Sequence, residues 1–431
     1  MNDRDFNLVI VSDLHLSQGW DPQTRRLPPH EDFFFDDVFA RFLAALEGES
    51  RTCGRKWRLV VAGDMVDFLQ VLSLPAEGGF ALRPREREYG LGTEIAKTIW
   101  KLKVIMAGHQ VFFRALARFL AAGHRLTVIS GNHDIEWTVP EVQQAFRQEM
   151  AALLSREAPA TEEAAGNGIS FCPWFYYEKD LVWIEHGHQY DGINSFDWLL
   201  HPWLPEGGEL MLPAGSFFVR YLFNKVEQQD PFADNLKPLS AYLRRNVPRL
   251  LCSRQVRAGL KAFFNILGKI RPLEQRERET LEVKQREGMA AEARRFDLPP
   301  ADLVAVRKLW TPCHLYNRTR WENIRSFFAP EEGDLYRCRA ARLHELVQTP
   351  YIVFGHTHEA DLQPLPGARG GFYVNSGSWS PVFCENYTER LLRAEQEFVF
   401  VRICRKRGGR VELMRWRDDL NTGERVKLFA R

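Results

Sequence analysis

The chain has 431 residues, 45% of them hydrophobic, enough for one large core plus a second unit, and this composition excludes a disordered protein. Lys and Arg total 58 against 56 Asp and Glu, so a formal net charge of +2 excludes a global pull toward nucleic acid and leaves only local electrostatic preferences. Seven Cys, at 53, 172, 252, 313, 338, 384 and 404, are odd in number and form no CxxC pair, which argues against a disulfide framework or a zinc–thiolate site and fits a reducing cytoplasm.

Met1–Asp5 leads directly into an apolar run, and no apolar stretch nears the roughly 18 residues that a membrane span needs. The expectation is a cytoplasmic protein, soluble or peripheral at the inner face of a membrane. Apolar runs at Leu8–Val11, Leu59–Ala62, Leu126–Ile129 and Leu181–Ile184 predict strands, and Thr93–Ala122 predicts mostly helix, an α/β alternation. Ile169–Tyr177 and Leu181–Glu185, joined by Glu178-Lys179-Asp180, predict an antiparallel hairpin. From Ser195 to Glu345 the spacing turns helical, broken at Pro213, Pro231, Pro238, Pro248, Pro272 and Pro299-Pro300. Tyr351–Phe354 resumes the strand pattern, followed by Phe372–Val374 and a hairpin through Phe398–Ile403 and Val411–Met414. The predicted organisation is a discontinuous core, 1–194 and 346–431, with a helical insertion at 195–345.

Five polar clusters each follow an apolar run: Asp13-Leu14-His15, Gly63-Asp64 with Asp67, Gly131-Asn132-His133-Asp134, His186-Gly187-His188, and Gly355-His356-Thr357-His358. Strands ending in Asp, Asn and His deliver oxygen and imidazole donors to one rim, where ligands collect in open sheets. Side chains two apart on a strand point the same way, so Asp13 and His15 can share one ion. Gly63 lets the Asp64 carboxylate approach closely enough to serve two ions. Asn132, His186, His356 and His358 complete a mixed N/O donor set that suits Mn, Fe or Zn better than Ca. Two such ions fit the template for in-line displacement at phosphorus. The bland alternative is that these side chains cap strands and satisfy loop backbones.

In the order DLH, GDMVD, GNHD, HGH, GHTH, these motifs closely resemble those of the calcineurin-like metallophosphoesterases. The resemblance implies a four-layer α-β-β-α sandwich with a large helical insertion as cap, and two divalent metal ions, manganese first, with iron or zinc as alternatives. Carried onto this chain, it implies that Asp13, His15, Asp64 and His358 hold the first metal. Asp64, Asn132, His186 and His356 would hold the second. It further implies that a hydroxide between the metals attacks phosphorus. His133 would be the non-ligand catalytic acid, with Asp134 beside it in the catalytic group. Asp134 and Asp67 would orient the donors. The family pattern prefers the first His of HGH as ligand, so His188 is expected behind the metal or facing phosphate. The nearest branch is that of the UDP-2,3-diacylglucosamine hydrolases, which also begin with a DLHL cluster and set a helical insert beside the site. This chain is far longer and carries His133 where the best-known members have Arg.

Outside the five clusters, His30, His109, His124, His201, His314 and His344 are assigned no role, and Trp174–Tyr177 are expected to pack. Asn375–Trp379 is expected beside the site. Leu239–Pro272 holds eight basic residues and no acidic one: Arg244, Arg245, Arg249, Arg254, Arg257, Lys261, Lys269 and Arg271. Within it Ser253 can cap a helix whose Val256, Leu260, Phe263, Phe264 and Leu267 share a face. Two readings stay open: a cap helix packed on its apolar side, or peripheral association of 239–272 with an anionic membrane. Phe217, Phe218, Tyr221, Leu222, Phe223 and Val226 form a further apolar stripe. The expected partner is an anionic phosphate-containing substrate, lipid-linked or amphiphilic. A nucleotide phosphodiesterase or nuclease binding nucleic acid through the basic stretch, and a non-catalytic binding scaffold, are the alternatives.

Overall fold

The computed structural model describes residues 5–75, 79–157, 168–204, 208–228, 236–237, 246, 252–313, 333–365, 370–381, 383–384, 397–405 and 408–426. Its strands are β1 (Asn7–Val11), β2 (Trp57–Ala62), β3 (Arg125–Ile129), β4 (Ile169–Cys172), β5 (Phe175–Glu178), β6 (Val182–Glu185), β7 (Leu236–Lys237), β8 (Tyr351–Phe354), β9 (Asp361–Pro364), β10 (Phe372–Asn375), β11 (Phe383–Cys384), β12 (Phe398–Cys404), β13 (Arg410–Arg417) and β14 (Thr422–Arg425). The principal helices are α1 (Asp36–Cys53), α2 (Pro84–Tyr89), α3 (Ile95–Gly108), α4 (Gln110–Ala121), α5 (Pro140–Glu157), α6 (Ala214–Phe218, continued by a wider turn over Val219–Phe223 and a last turn at Asn224–Val226), α7 (Arg254–Arg295), α8 (Pro300–Arg307) and α9 (Gly333–Val347). The chain is a mixed α/β protein.

Two mixed sheets organise it. The seven-stranded sheet runs β14-β13-β12-β1-β2-β3-β4, with β1 to β4 parallel and β12 antiparallel to β1. The five-stranded sheet runs β5-β6-β8-β10-β9, with β6, β8 and β10 parallel. Alternation along the strands sorts side chains between two buried clusters. Leu8, Ile10, Val60, Ala62 and Ile129 of the first sheet join Tyr176, Val182, Ile184, Val353 and Val374 of the second. Val9, Val11, Leu59, Val61, Leu126 and Val128 point the other way, into a cluster with Phe39, Phe42, Phe112, Leu116 and Phe146 of α1, α4 and α5.

The expected Ile169–Tyr177 strand is instead two. Pro173 has no N–H for a ladder, and the chain crosses there: β4 closes the edge of the first sheet and β5 opens the edge of the second. Only β5 forms the expected hairpin with β6, in the register Tyr176↔Ile184. Helix α7 runs through Pro272, where the sequence predicted a break. The Thr93–Ala122 helix is divided at His109 into α3 and α4, bent by 91°. Among the described residues that bent pair alone passes for a membrane span by length and composition, yet its apolar side chains, Leu102, Ile105, Phe112, Phe113 and Leu116, are buried in the core. No single helix among the described residues is long and apolar enough to cross a membrane.

The insertion packs on its apolar sides. Ser253 caps α7, its hydroxyl accepting from Val256 N at 3.4 Å. Val256, Phe263, Leu267 and Ile270 are buried, with Phe263 against Phe218 at 5.9 Å between ring centroids. Phe217, Phe218, Tyr221, Leu222, Phe223 and Val226 are buried too. Arg254, Arg257, Lys261 and Lys269 stay exposed. Arg244, Arg245, Arg249 and His314 lie outside the described residues, and of Arg271 only the backbone is described.

Candidate metal centre

All five polar clusters stand at carboxyl ends of parallel strands: Asp13 and His15 after β1, Asp64 after β2, Asn132 and His133 after β3, His186 after β6, His356 and His358 after β8. The loops are stitched together. Asp13 N donates to Gly63 O at 3.2 Å, Leu14 N and His15 N to Asp64 O at 2.9 Å, and Gly355 N to His186 O at 2.9 Å. The Asn375–Trp379 segment sits beside the site as expected. Ser378 Oγ donates to Asp13 O at 3.1 Å, and Trp379 N to the same oxygen at 3.2 Å.

Close approach of the clusters rests on two glycines. Gly63 has φ +89, and a Cβ there would lie 2.6 Å from His186 Cβ. A Cβ on Gly131 would lie 2.6 Å from Asp64 N and 2.8 Å from Asp64 Cγ. Asp13, His15, Asp64, His356 and His358 have φ of 54°, 53°, 52°, 69° and 61°, in the left-handed region that non-glycine residues seldom occupy.

The donors that the sequence nominated come together. Asp64 Oδ2 is 3.0 Å from His186 Nε2 and 3.7 Å from His15 Nε2. Asp13 Oδ1 is 3.2 Å from His358 Nε2, 3.9 Å from His15 Nε2 and 4.0 Å from His186 Nε2. Asn132 Oδ1 is 3.1 Å from His186 Nε2. Three groups could each hold a metal ion, with donor atoms within 4.8 Å of one another: Asp13, His15 and His358; His15, Asp64 and His133; Asp64, His186 and His356. The first and third fall within the two ligand sets that the resemblance implied.

The spacing fits the cation. Donors bound to one ion at about 2.0–2.2 Å stand roughly 3–4 Å apart, whereas N–H···O bonds cluster at about 2.7–3.2 Å. Several separations here exceed hydrogen-bond length, and buried His15 Nε2 makes no hydrogen bond among the described residues. The electrostatics agree. Burial pushes the Asp13 carboxyl up, but the imidazoles of His358 and His186 outweigh it and hold Asp13 well below the usual carboxylate range. Burial is likewise overcome at Asp64, by His186 and His133. His186, which burial alone would lower, is carried up to about 9 by Asp64 and Asp13.

The residues expected behind the donors divide by role. His133 Nδ1 lies 2.5 Å from Asp67 Oδ2, while Asp67 Oδ1 accepts from Leu69 N at 2.8 Å and Gln70 N at 3.1 Å. Asp134, expected in the catalytic group, is a brace: its carboxylate accepts from Gly131 N at 2.6 Å, Met65 N at 2.8 Å and Trp137 Nε1 at 3.0 Å. Fully buried and occupied in this way, it has no face left for a substrate. His188 is 2% exposed, neither ring nitrogen has a hydrogen-bond partner among the described residues, and its ring lies 5.4 Å from that of His186 and 5.6 Å from Phe196. Burial first, then the neighbouring His186 and His356, pushes it well below the usual imidazole range.

Sequence reasoning missed Asp191. Its Oδ2 is 3.3 Å from His356 Nε2, and its carboxylate accepts from Ile193 N at 2.9 Å and Asn194 Nδ2 at 2.7 Å. An Asp-Gly pair five residues after His186 is the only trace of it in the sequence. The insertion also reaches the site: Ser216 Oγ donates to Asn132 O at 3.1 Å, and the Tyr336 ring lies 6.2 Å from that of His356.

Comparison with protein-family models gives no match, and comparison with curated proteins gives none.

Proposed function

We propose that this chain is a calcineurin-like, metal-dependent phosphoesterase. In this reading its two facing sheets with helices outside form the four-layer α-β-β-α sandwich and Ser195–Glu345 is a cap. Its substrate is a phosphate ester or diphosphate on an amphiphilic, lipid-linked anion such as UDP-2,3-diacylglucosamine. One observation carries the reading: carboxylate and imidazole donors from four strand ends converge at 3.0–4.0 Å, and three of these separations, 3.7, 3.9 and 4.0 Å, are longer than a hydrogen bond and suit co-ligands of one ion.

Asp13, His15, Asp64 and His358 would hold one cation, and Asp64, Asn132, His186 and His356 a second, with manganese the first choice. Such cations draw charge off phosphoryl oxygens and make water acidic enough to attack near neutral pH. Asp67 fixes the His133 imidazole through Nδ1, which leaves Nε2 to deliver a proton to the departing oxygen. Asp134 holds the Gly63 and Gly131 loops at a fixed separation, so Asp64 and Asn132 keep their places.

The test is turnover by manganese-loaded protein on an aryl phosphomonoester, an aryl phosphodiester and UDP-2,3-diacylglucosamine. Cleavage of the lipid-linked diphosphate, lost in His133→Ala at full metal occupancy, is the expected result. Absence of metal-dependent turnover on all three substrates refutes the reading. The exposed basic face of α7 favours a second reading, a nucleotide phosphodiesterase or nuclease. Nucleic-acid binding that falls steeply with salt would mark it.

A further inference from the structure

Seven large hydrophobic side chains are conspicuously exposed among the described residues, and four of them gather around one bend: Trp20 (48%), Leu27 (40%), Phe34 (38%) and Val111 (44%). The bend is the α3–α4 junction. Trp20 N donates to Gly108 O at 3.1 Å, Val111 lies in the first turn of α4, and Phe34 follows Phe33, whose ring meets those of His109 and Phe112 at 6.0 and 5.8 Å. Leu27 closes a short hairpin in which Asp21 N donates to Arg26 O at 3.0 Å.

The loop from Ser17 to Phe35 is held rigidly in this posture. Glu31, 1% exposed, accepts from Ser17 Oγ at 2.7 Å, Gly19 N at 2.5 Å and Phe33 N at 3.0 Å, and faces His109 Nε2 at 3.4 Å. His109 Nδ1 is 3.1 Å from Asp36 Oδ2. A buried acid–imidazole–acid staple thus pins the base of a loop whose tip is apolar. Such a tip is not a core that failed to close.

The charge at the tip is positive. Arg25 and Arg26 are exposed, and neither has an ion-pair partner among the described residues. The nearby Asp21 carboxylate is engaged by Gln23 N and Thr24 Oγ1, each at 2.8 Å, and exposed Asp37 lies toward Arg41. Trp, Leu, Phe and Val flanked by two unpaired Arg match the boundary between acyl chains and anionic headgroups, where amphipathic aromatics and snorkelling basic side chains sit. The four side chains expose roughly 300 Å², well short of the about 800 Å² per partner of a stable protein interface. The loop also continues directly from Asp13-Leu14-His15, and five residues span at most about 18 Å from His15 to Trp20.

We propose that the Ser17–Phe35 loop and Val111 form a docking surface for an anionic lipid bilayer. Trp20, Leu27, Phe34 and Val111 enter the headgroup–acyl boundary while Arg25 and Arg26 engage lipid phosphates, so the rim of the metal centre faces the surface that holds an amphiphilic substrate. This purpose rests on the phosphoesterase reading above; the docking itself does not.

The experiment is co-sedimentation of the full chain with phosphatidylcholine vesicles, with and without phosphatidylglycerol, at low and high salt. Wild type is expected to sediment with the anionic vesicles and to be released by salt. Trp20→Ser/Leu27→Ser should lose at least tenfold in binding, and Arg25→Glu/Arg26→Glu should lose the preference for anionic lipid. Both should keep the wild-type melting temperature and turnover of a soluble aryl phosphate. Wild type that ignores anionic vesicles overturns the proposal, as does a folded double variant that binds like wild type. A dimer seen by light scattering and split by the apolar variant overturns it in favour of self-association. Vesicle binding with no turnover of any phosphate ester would leave docking standing and remove the catalytic reading; turnover without binding would do the reverse.

Discussion

Gly131→Ala tests the metal centre through a single methyl group. Gly131 does not lie in the left-handed region, so its backbone accepts alanine and the only objection is steric. The added Cβ would sit 2.1 Å from Asp64 Oδ1, 2.6 Å from Asp64 N and 2.8 Å from Asp64 Cγ, where ordinary contact begins near 3.4 Å. Asp64 has to retreat by about 0.6–1.3 Å, most at its Oδ1, beyond the roughly 0.2 Å that metal–ligand distances tolerate. It cannot rotate freely away, because Oδ1 accepts from His133 N at 2.9 Å and Oδ2 faces His186 Nε2 at 3.0 Å. Overpacking of this kind costs about 1–3 kcal/mol. Falling mainly on Asp64, it should weaken manganese binding ten- to a hundredfold, which is about 1.4–2.8 kcal/mol. Calorimetric titration with manganese reads the loss, and thermal unfolding of the metal-free protein reads the fold. Gly48→Ala is the control. It lies within α1 with nothing within 4 Å of a new Cβ, and should stabilise by about 0.5–1 kcal/mol with manganese affinity unchanged. A folded Gly131→Ala protein that binds manganese like wild type refutes the reasoning.

Other outcomes follow from the same geometry. His186→Ala should lower metal stoichiometry while His188→Ala leaves it intact, as read by elemental analysis after dialysis; equal loss would mean that the two imidazoles share the role. Asp191→Asn removes the carboxylate that orients His356, and manganese affinity should fall ten- to a hundredfold; an affinity within twofold of wild type removes Asp191 from the site. His124 is buried, accepts from Trp57 N at 2.9 Å and stacks on Phe119, and burial, with Lys56, pushes it down to about 4. Its unfolded value is near 6.5, so the unfolded chain binds the proton first. Stability should therefore drain as pH falls from about 6.5 to 4, by on the order of 2–3 kcal/mol, and denaturant melts of His124→Gln should lose that slope. His109 has the opposite sign: burial opposes its charge, but Glu31 and Asp36 carry it up to about 9. Its contribution is complete below pH 6.5 and is lost as pH climbs toward 9, an alkaline limb that His109→Gln should lack.

The five donor clusters were legible because parallel strands buried on both faces read as unbroken apolar runs, so a polar residue after the run marks the strand's carboxyl end. Asp13, Asp64, Asn132, His186 and His356 all obey that rule. What escaped lacks the signal. The strands Asp361–Pro364 and Thr422–Arg425 sit at sheet edges with exposed or half-buried side chains and carry no apolar run. The crossing at Pro173 was hidden because Trp174, Phe175, Tyr176 and Tyr177 continue the apolar texture, although Tyr176 packs between the sheets and the others do not. Asp191 was beyond reach for a different reason: its partner, His356, is 165 residues away, and no local pattern encodes a contact of that separation.

Backbone strain separates the metal reading from the bland one, in which these side chains merely cap strands. Asp134 is a true cap of that kind, bonded to the amides of Met65 and Gly131, and it sits at φ −135°, outside the left-handed region. Asp13, His15, Asp64, His356 and His358 do not share that ease: all five lie at φ between 52° and 69°, half of the ten non-glycine residues described there. Even at about 1 kcal/mol each, the low end for Asp and His, their strain totals about 5 kcal/mol, comparable with the whole stability of a modest domain. Capping needs none of it, since an Asp at a strand end reaches loop amides from ordinary angles, as Asp134 does. What the strained angles achieve is to turn five side chains from three loops toward one another. Three carboxylate and imidazole groups are thereby brought within 4.8 Å in each of three overlapping sets. The strained angles raise the energy of the metal-free backbone, and a metal ion, which these groups could hold, would offset that cost by drawing the donors together.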